Sequence, residues 1–225
     1  MRELVDTYWL YFLVGQYPHG PMGGLALTVI LATLGLVLAL PLGVLLGLAR
    51  FSPNRWLRLP VTGWVWVVRG TPLLMVVFWA YFFLPTVTGH KTDQFSTMLV
   101  ALIIFDAAYL AEIVNAGLQA VPKGQLQASL SLGLTRGQAL RGVLLPQALR
   151  HMLPSLINQF VATIKETSLG TIIGLSELSF IANQINAQVL VKPVEIYLTL
   201  AGSYFVMCFG LTRVAKLAER RLATV

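Results

Sequence analysis

The sequence predicts an all-α integral membrane protein of about five transmembrane helices, with its N-terminus outside, its C-terminus in the cytoplasm and a two-helix cytoplasmic segment between spans three and four. Three observations carry this. Hydrophobic residues make up 56% of the 225-residue chain and charged ones 11%, against roughly a quarter charged in ordinary globular proteins. Such a chain cannot cover a water-facing surface, so its solvent is membrane lipid. Apolar segments of about 20 residues recur, the length that crosses a hydrocarbon core. The basic residues, which give a net charge of +7, cluster at the ends of those segments, where orientation signals belong; this placement argues against nucleic acid as a partner.

Residues 1–23 form a periplasmic, interfacial N-terminal segment. The apolar run from Tyr8 to Val14 is too short to span, and Glu3 and Asp6 deny it the basic start of a signal peptide. Tyr8, Trp9, Tyr11 and Phe12 suit the headgroup level. Residues 24–225 are read as a single transmembrane domain. Its first span, 24–49, is stopped by Arg50, Pro53 and Arg55 and carries Gly43 and Gly47 at the G-x-x-x-G spacing that lets helices approach closely. The second, 59–84, is interrupted by Arg69-Gly70-Thr71-Pro72, tolerated at membrane depth where backbone is buried in protein or lines a wet cavity. A polar connection, Gly89-His90-Lys91-Thr92-Asp93-Gln94, leads to the third, 95–118, which contains Asp106 and Glu112. The fourth, 152–173, contains Lys165 and Glu166; a polar stretch, Gly174 to Pro193, precedes the fifth, 194–211.

With the N-terminus outside, the cytoplasmic side holds Arg50, Arg55, Arg58, Lys123, Arg136, Arg141, Arg150, Arg213, Lys216, Arg220 and Arg221, eleven of the sixteen basic residues. Arg2, Lys91 and Lys192 lie outside, and the inverse topology breaks the positive-inside rule. Residues 122–148 therefore face the cytoplasm. Pro122 suits the first position of a helix, and Gly133 suits its left-handed C-terminal residue. Thr135 and Gln138 have capping-box spacing for a second short helix, which Pro146 is expected to close. A mere connection between two spans needs far fewer residues.

A charge at a helix centre costs about 2.5–3.5 kcal/mol. Adjacent residues on a helix point about 100° apart, so Lys165 and Glu166 do not neutralise each other. Ala162, Glu166, Gly170 and Gly174 share one face at i, i+4 spacing, while Asn158 and Lys165 share a more polar one. Lys165, Glu166, Glu112 and Arg69 either line or support a polar path, offering both signs to a zwitterion, or form an ion-pair network that holds helices in register. Glu177 and Glu195 are expected at solvent or at an external partner. Scattered His19, His90 and His151 give no metal spacing, no catalytic constellation is present, and the lone Cys208 allows no internal disulfide. An integral-membrane enzyme and a passive channel are the competing readings; the first finds no paired carboxylates or nucleophile motif, and the second does not account for a structured cytoplasmic segment of this length. No G-x-x-x-x-G-K-[ST] phosphate loop occurs, so this chain is expected to bind no ATP.

The run Gln127-Ala128-Ser129, Gly133 and Leu145-Pro146-Gln147-Ala148 resembles the EAA loop of ABC-importer permeases. With Arg69-Gly-Thr-Pro-Leu73, Ala108-Tyr-Leu-Ala-Glu112, Gly117-Leu-Gln-Ala-Val-Pro122, Lys165-Glu-Thr-Ser-Leu169 and Ile173-Gly-Leu-Ser-Glu-Leu178, nearly the whole chain resembles the polar amino-acid permeases, the histidine, glutamine and glutamate–aspartate importers. The resemblance implies a multi-pass bacterial inner-membrane protein that carries an amino-acid substrate. It also implies two ATP-hydrolysing nucleotide-binding subunits, a second identical or paralogous permease chain and a periplasmic solute-binding protein as partners. Gln127, Ala128, Ser129, Gly133, Thr135, Arg136 and Gln138 would couple to the ATPase. The family usually has glutamate at 127, alanine at 129 and often a basic residue at 115; here Gln127, Ser129 and Asn115 stand instead. The run from Met75 to Trp79 leans towards glutamate/aspartate-type permeases.

Overall fold

The structure is a computed structural model that describes residues 2–89 and 93–223. His90, Lys91 and Thr92 of the polar connection lie outside the described residues, as do the side chains of Arg2, Glu3, Arg220 and Arg221. Among the described residues there is no strand, and helix follows helix: α1 Arg2–Val14, α2 Gly24–Phe51, α3 Arg55–Gly70, α4 Leu73–Phe78, α5 Leu84–Thr88, α6 Gln94–Ala120, α7 Lys123–Ser131, α8 Arg136–Ala139, α9 Leu145–Glu166, α10 Leu178–Val189 and α11 Pro193–Ala223. Two π turns, Trp79–Phe83 and Leu140–Leu144, and a 3₁₀ segment, Thr167–Ile173, complete the path.

α2, α6 and the Pro193–Leu217 part of α11 are long and apolar enough to cross a membrane, and the bent pair of α3 with α4–α5 makes a fourth candidate if counted as one span. The expected fourth span differs. α9 begins at Leu145 and carries Arg150, Asn158, Gln159, Lys165 and Glu166, which keep it from that apolarity. Its α-register ends at Glu166, so the stripe expected from Ala162 to Gly174 does not continue: 167–173 is 3₁₀, and Gly174 is left-handed at φ 78°.

Pro146 does not close a helix. It sits in the first turn of α9, directly after the second π turn. Pro85 follows the first π turn in the same way, each proline preceded by a leucine. A proline has no N–H to give the carbonyl four residues back and its ring crowds that carbonyl; a widened turn relieves both constraints. Pro41, Pro60 and Pro154 lie within α-helix, so proline permits the π turn without dictating it. The polar stretch after Gly174 likewise holds a helix, α10, rather than only a loop.

Two compact units divide the chain. In the first (1–38, 71–104, 160–211), Phe12 of α1 is buried with Leu178, Ile181, Ala182 and Ile185 of α10 and Ile196 of α11. Of the expected interfacial aromatics, Trp9 stays exposed, Tyr8 and Tyr11 pack against this core, and the Tyr11 hydroxyl donates to Gln184. In the second (39–70, 105–159, 212–225), a Cβ on Gly43 would strike the Leu110 side chain, and one on Gly47 would lie 2.6 Å from Val114 Cβ. The glycine pair is thus the crossing point of α2 on α6. Gly117 plays the same part under Met152 of α9.

Candidate functional site

Glu112 lies on α6 in the run Ala108–Glu112, whose side chains meet two helices, α2 and α3. Ala108 and Ala111 are fully buried against Val65 of α3, and Leu110 against Ala39 of α2. The Arg69 guanidinium lies 5.2 Å from the centre of the Tyr109 ring. Glu112 Oε2 accepts from Arg50 Nη1 at 2.8 Å and also from Arg69 Nη1. One carboxylate therefore ties the end of α2 and the end of α3 to the middle of α6. The sequence reading grouped Arg69 and Glu112 with Lys165 and Glu166, as a polar path or an ion-pair network, and missed Arg50, whose side chain is only 7% exposed. Asp106, also on α6, has a partner of its own: it is fully buried and accepts from Gln159 Nε2 at 2.8 Å. Asn115, one turn beyond Glu112, is buried as well.

Of the two short helices expected in 122–148, the first forms as α7, while the second opens at Arg136 as expected but is not closed: it runs on through the π turn Leu140–Leu144 into α9. Pro122 is the residue before α7 rather than its first. Gly133 closes α7 in the left-handed region at φ 82°, its N–H reaching Leu130 O at 3.0 Å and the Leu134 N–H reaching Ser129 O at 3.2 Å, the paired bonds of a Schellman end. The Thr135–Gln138 capping box is complete. Leu126 and Leu140 pack against the cluster of Val121 and Leu144, so the hairpin has a small apolar base. Gln127, Ala128, Thr135, Arg136 and Gln138 are exposed. Ser129 is buried, and its hydroxyl donates to Gln125 O at 2.7 Å, so it braces α7 from within.

Lys165 and Glu166 end α9 where it tightens into the 3₁₀ segment; Lys165 is exposed and Glu166 half-buried. Among the described residues no group of His, Cys, Asp and Glu could hold a metal.

Glu177 corrects an expectation. It is fully buried rather than at solvent, because it caps α10: Oε2 accepts the Ser179 N–H at 2.8 Å and Oε1 the Phe180 N–H at 2.9 Å, and the Tyr204 hydroxyl donates to Oε2 at 3.1 Å. Burial pushes its carboxyl up to about 7, against the downward pull of these donors. The neighbouring Ser176 carbonyl accepts the Gly24 N–H, and the Leu178 N–H donates to Thr28 Oγ1, fastening this turn to the start of α2.

Residues 39–224 match the family described as the binding-protein-dependent transport system inner membrane component. The chain belongs to that family. It is 38% identical over 97% of its length to the Escherichia coli inner membrane amino-acid ABC transporter permease protein YhdY, of which it spans 62%. It is 36% identical over 88% of its length to the Bacillus subtilis arginine transport system permease protein ArtQ, covering 90% of that protein. A solved amino acid ABC transporter with histidines superposes at a TM-score of 0.80, with 34% identity, over 86% of this chain and 90% of the other. The resemblance drawn from the motifs is borne out: this binding-protein-dependent transport component is a multi-pass inner-membrane protein and not an enzyme.

Proposed function

We propose that this chain is the membrane-spanning permease subunit of an ATP-driven ABC importer for a polar amino acid. Its relatives are named as amino-acid permeases, for arginine, cystine, glutamine and the glutamate–aspartate group. In this reading five spans include α9, the N-terminus lies outside, and segment 122–148 faces the cytoplasm. Two nucleotide-binding subunits hydrolyse ATP, a second permease chain completes the path, and a periplasmic binding protein delivers the substrate.

The observation that carries the reading is the exposed edge of the α7–α8 hairpin and what it is joined to. From Arg136 the backbone stays helical, through one π turn, to Glu166. A push on the hairpin by a closing ATPase is thereby transmitted along a continuous helical path to Lys165 and Glu166, consistent with alternating access around a midplane site. We assign Lys165 and Glu166 to the substrate path. Arg69 and Glu112 support it by bracing α3 on α6. Gln127 and Ala128, with Thr135, Arg136 and Gln138, form the docking edge; Ser129 and Gly133 shape it.

Glutamate and aspartate are the first substrates to test. Proteoliposomes containing the chain with its second permease chain, its ATPase and a binding protein should show ATP-dependent uptake, lost in Lys165→Ala and Glu166→Ala proteins that still assemble. Unchanged rate and substrate preference in both variants would remove those residues from the path, and uptake without any ATPase would overturn the importer reading.

A further inference from the structure

A cavity of about 480 Å³ opens beside the hairpin in the second unit. Its walls are apolar: Leu45, Leu48 and Phe51 from α2, Leu126 from α7, and Leu140 and Leu144 from the second π turn. Two cations, Arg58 and Arg136, stand among its lining residues, and both are exposed. No acidic residue occurs in 45–58 or 122–150 to neutralise them. Next to Arg58, Trp56 is 78% exposed beneath the Arg55 guanidinium, 5.3 Å from its ring. Tryptophan with arginine at a helix start is the signature of the headgroup level. The cavity wall also continues outward, since Leu45 is 65% exposed on α2, a helix apolar enough to lie in a membrane.

A ligand that fits has an anionic group for Arg58 and Arg136 and an acyl chain for the leucine-lined interior, with a way out along α2 to the bilayer. We propose that this cavity binds an anionic phospholipid, its phosphate held by Arg58 and Arg136 and one chain lying over Leu45 and Leu48. Basic pockets between membrane helices hold such headgroups by the same charge complementarity. The inference concerns the chain in its membrane and does not depend on the importer's substrate.

Native mass spectrometry of the full chain, released from nanodiscs of mixed phosphatidylglycerol and phosphatidylcholine, tests it. Wild type should retain phosphatidylglycerol selectively. The Arg58→Gln/Arg136→Gln double variant should retain it about thirtyfold less, at roughly a factor of five per surface cation. Leu48→Trp, which fills the cavity and keeps both cations, should also lose it, while Lys123→Gln should not. Equal retention in the double variant overturns the proposal even if Leu48→Trp fails to fold. Arg136 also belongs to the docking edge proposed above, so retention is measured on the chain alone and again with its ATPase subunit bound. Displacement by glycerol phosphate as readily as by the intact lipid would make this a plain anion site, and complete loss of the lipid from the ATPase-bound chain would make the groove part of the protein interface; either result also overturns the proposal.

Discussion

Arg50 Nη1 donates to Glu112 Oε2 at 2.8 Å across 62 residues of sequence, and the arginine is the more buried of the two. Arg69 donates to the same oxygen, so two cations share one carboxylate. Nε of each arginine is buried without a hydrogen bond, which makes the cluster depend on the single acid that unites it.

Glu112→Gln should therefore destabilise the chain more than either arginine substitution. Breaking a buried pair costs about 3–5 kcal/mol, but the Glu112 side chain is 31% exposed, and solvent screening reduces this to about 1–3 kcal/mol. Thermal unfolding in detergent of Arg50→Met, Glu112→Gln and the double variant forms a cycle. A coupling energy near zero would show that the contact holds nothing.

Gly43→Ala and Gly47→Ala should each lower stability by about 1–3 kcal/mol, the cost of overpacking, because the new methyl groups meet Leu110 and Val114. Gly63→Ala is the control: nothing lies within 4 Å of a Cβ there, and the change should stabilise α3 by up to about 1 kcal/mol. Equal melting temperatures for all three would contradict the close crossing of α2 and α6.

What was legible in the sequence was local. Gly133 and the Thr135–Gln138 box reveal the hairpin because capping depends on residues within one turn of each other. The glycine spacing at 43 and 47 reveals a crossing but not the helix crossed. Arg50 reads as a stop signal, since nothing near it in sequence points to a carboxylate 62 residues away. Pro146 reads as a helix end because the rule for proline assumes α register, and a π turn escapes it. α10 was hidden by its cap: glutamate is not among the preferred N-cap residues, and burial of Glu177 depends on Tyr204, 27 residues on.

The hairpin divides its own residues into two kinds, and the division is measurable. Gln127→Ala and Ala128→Arg alter exposed positions, so they should weaken co-purification with the ATPase subunit and leave the stability of the isolated chain within about 0.5 kcal/mol, the range for surface changes. Ser129→Ala alters a buried one and should do the reverse. If Gln127→Glu markedly strengthens association, docking is electrostatic rather than dependent on shape and hydrogen bonds.

Glu177 makes the stability of the first unit depend on pH. Its folded pKa, about 7, lies above the ordinary 4.5, so between these values the folded state binds the proton that the unfolded state has released. Stability is then full below about pH 4.5, falls as pH rises to about 7 and is level above it. At about 1.4 kcal/mol per unit of pKa, the fall is at most about 3–4 kcal/mol. Glu177→Gln keeps an acceptor for the N–H groups of α10 and removes the titration, so its melting temperature should lack this slope. Glu177→Ala removes the cap as well and should cost a further 0.5–2 kcal/mol, roughly the worth of an N-cap. Melting curves from pH 4 to pH 8 separate the two effects, and a wild-type profile parallel to that of Glu177→Gln would show that the buried carboxyl does not titrate in this range.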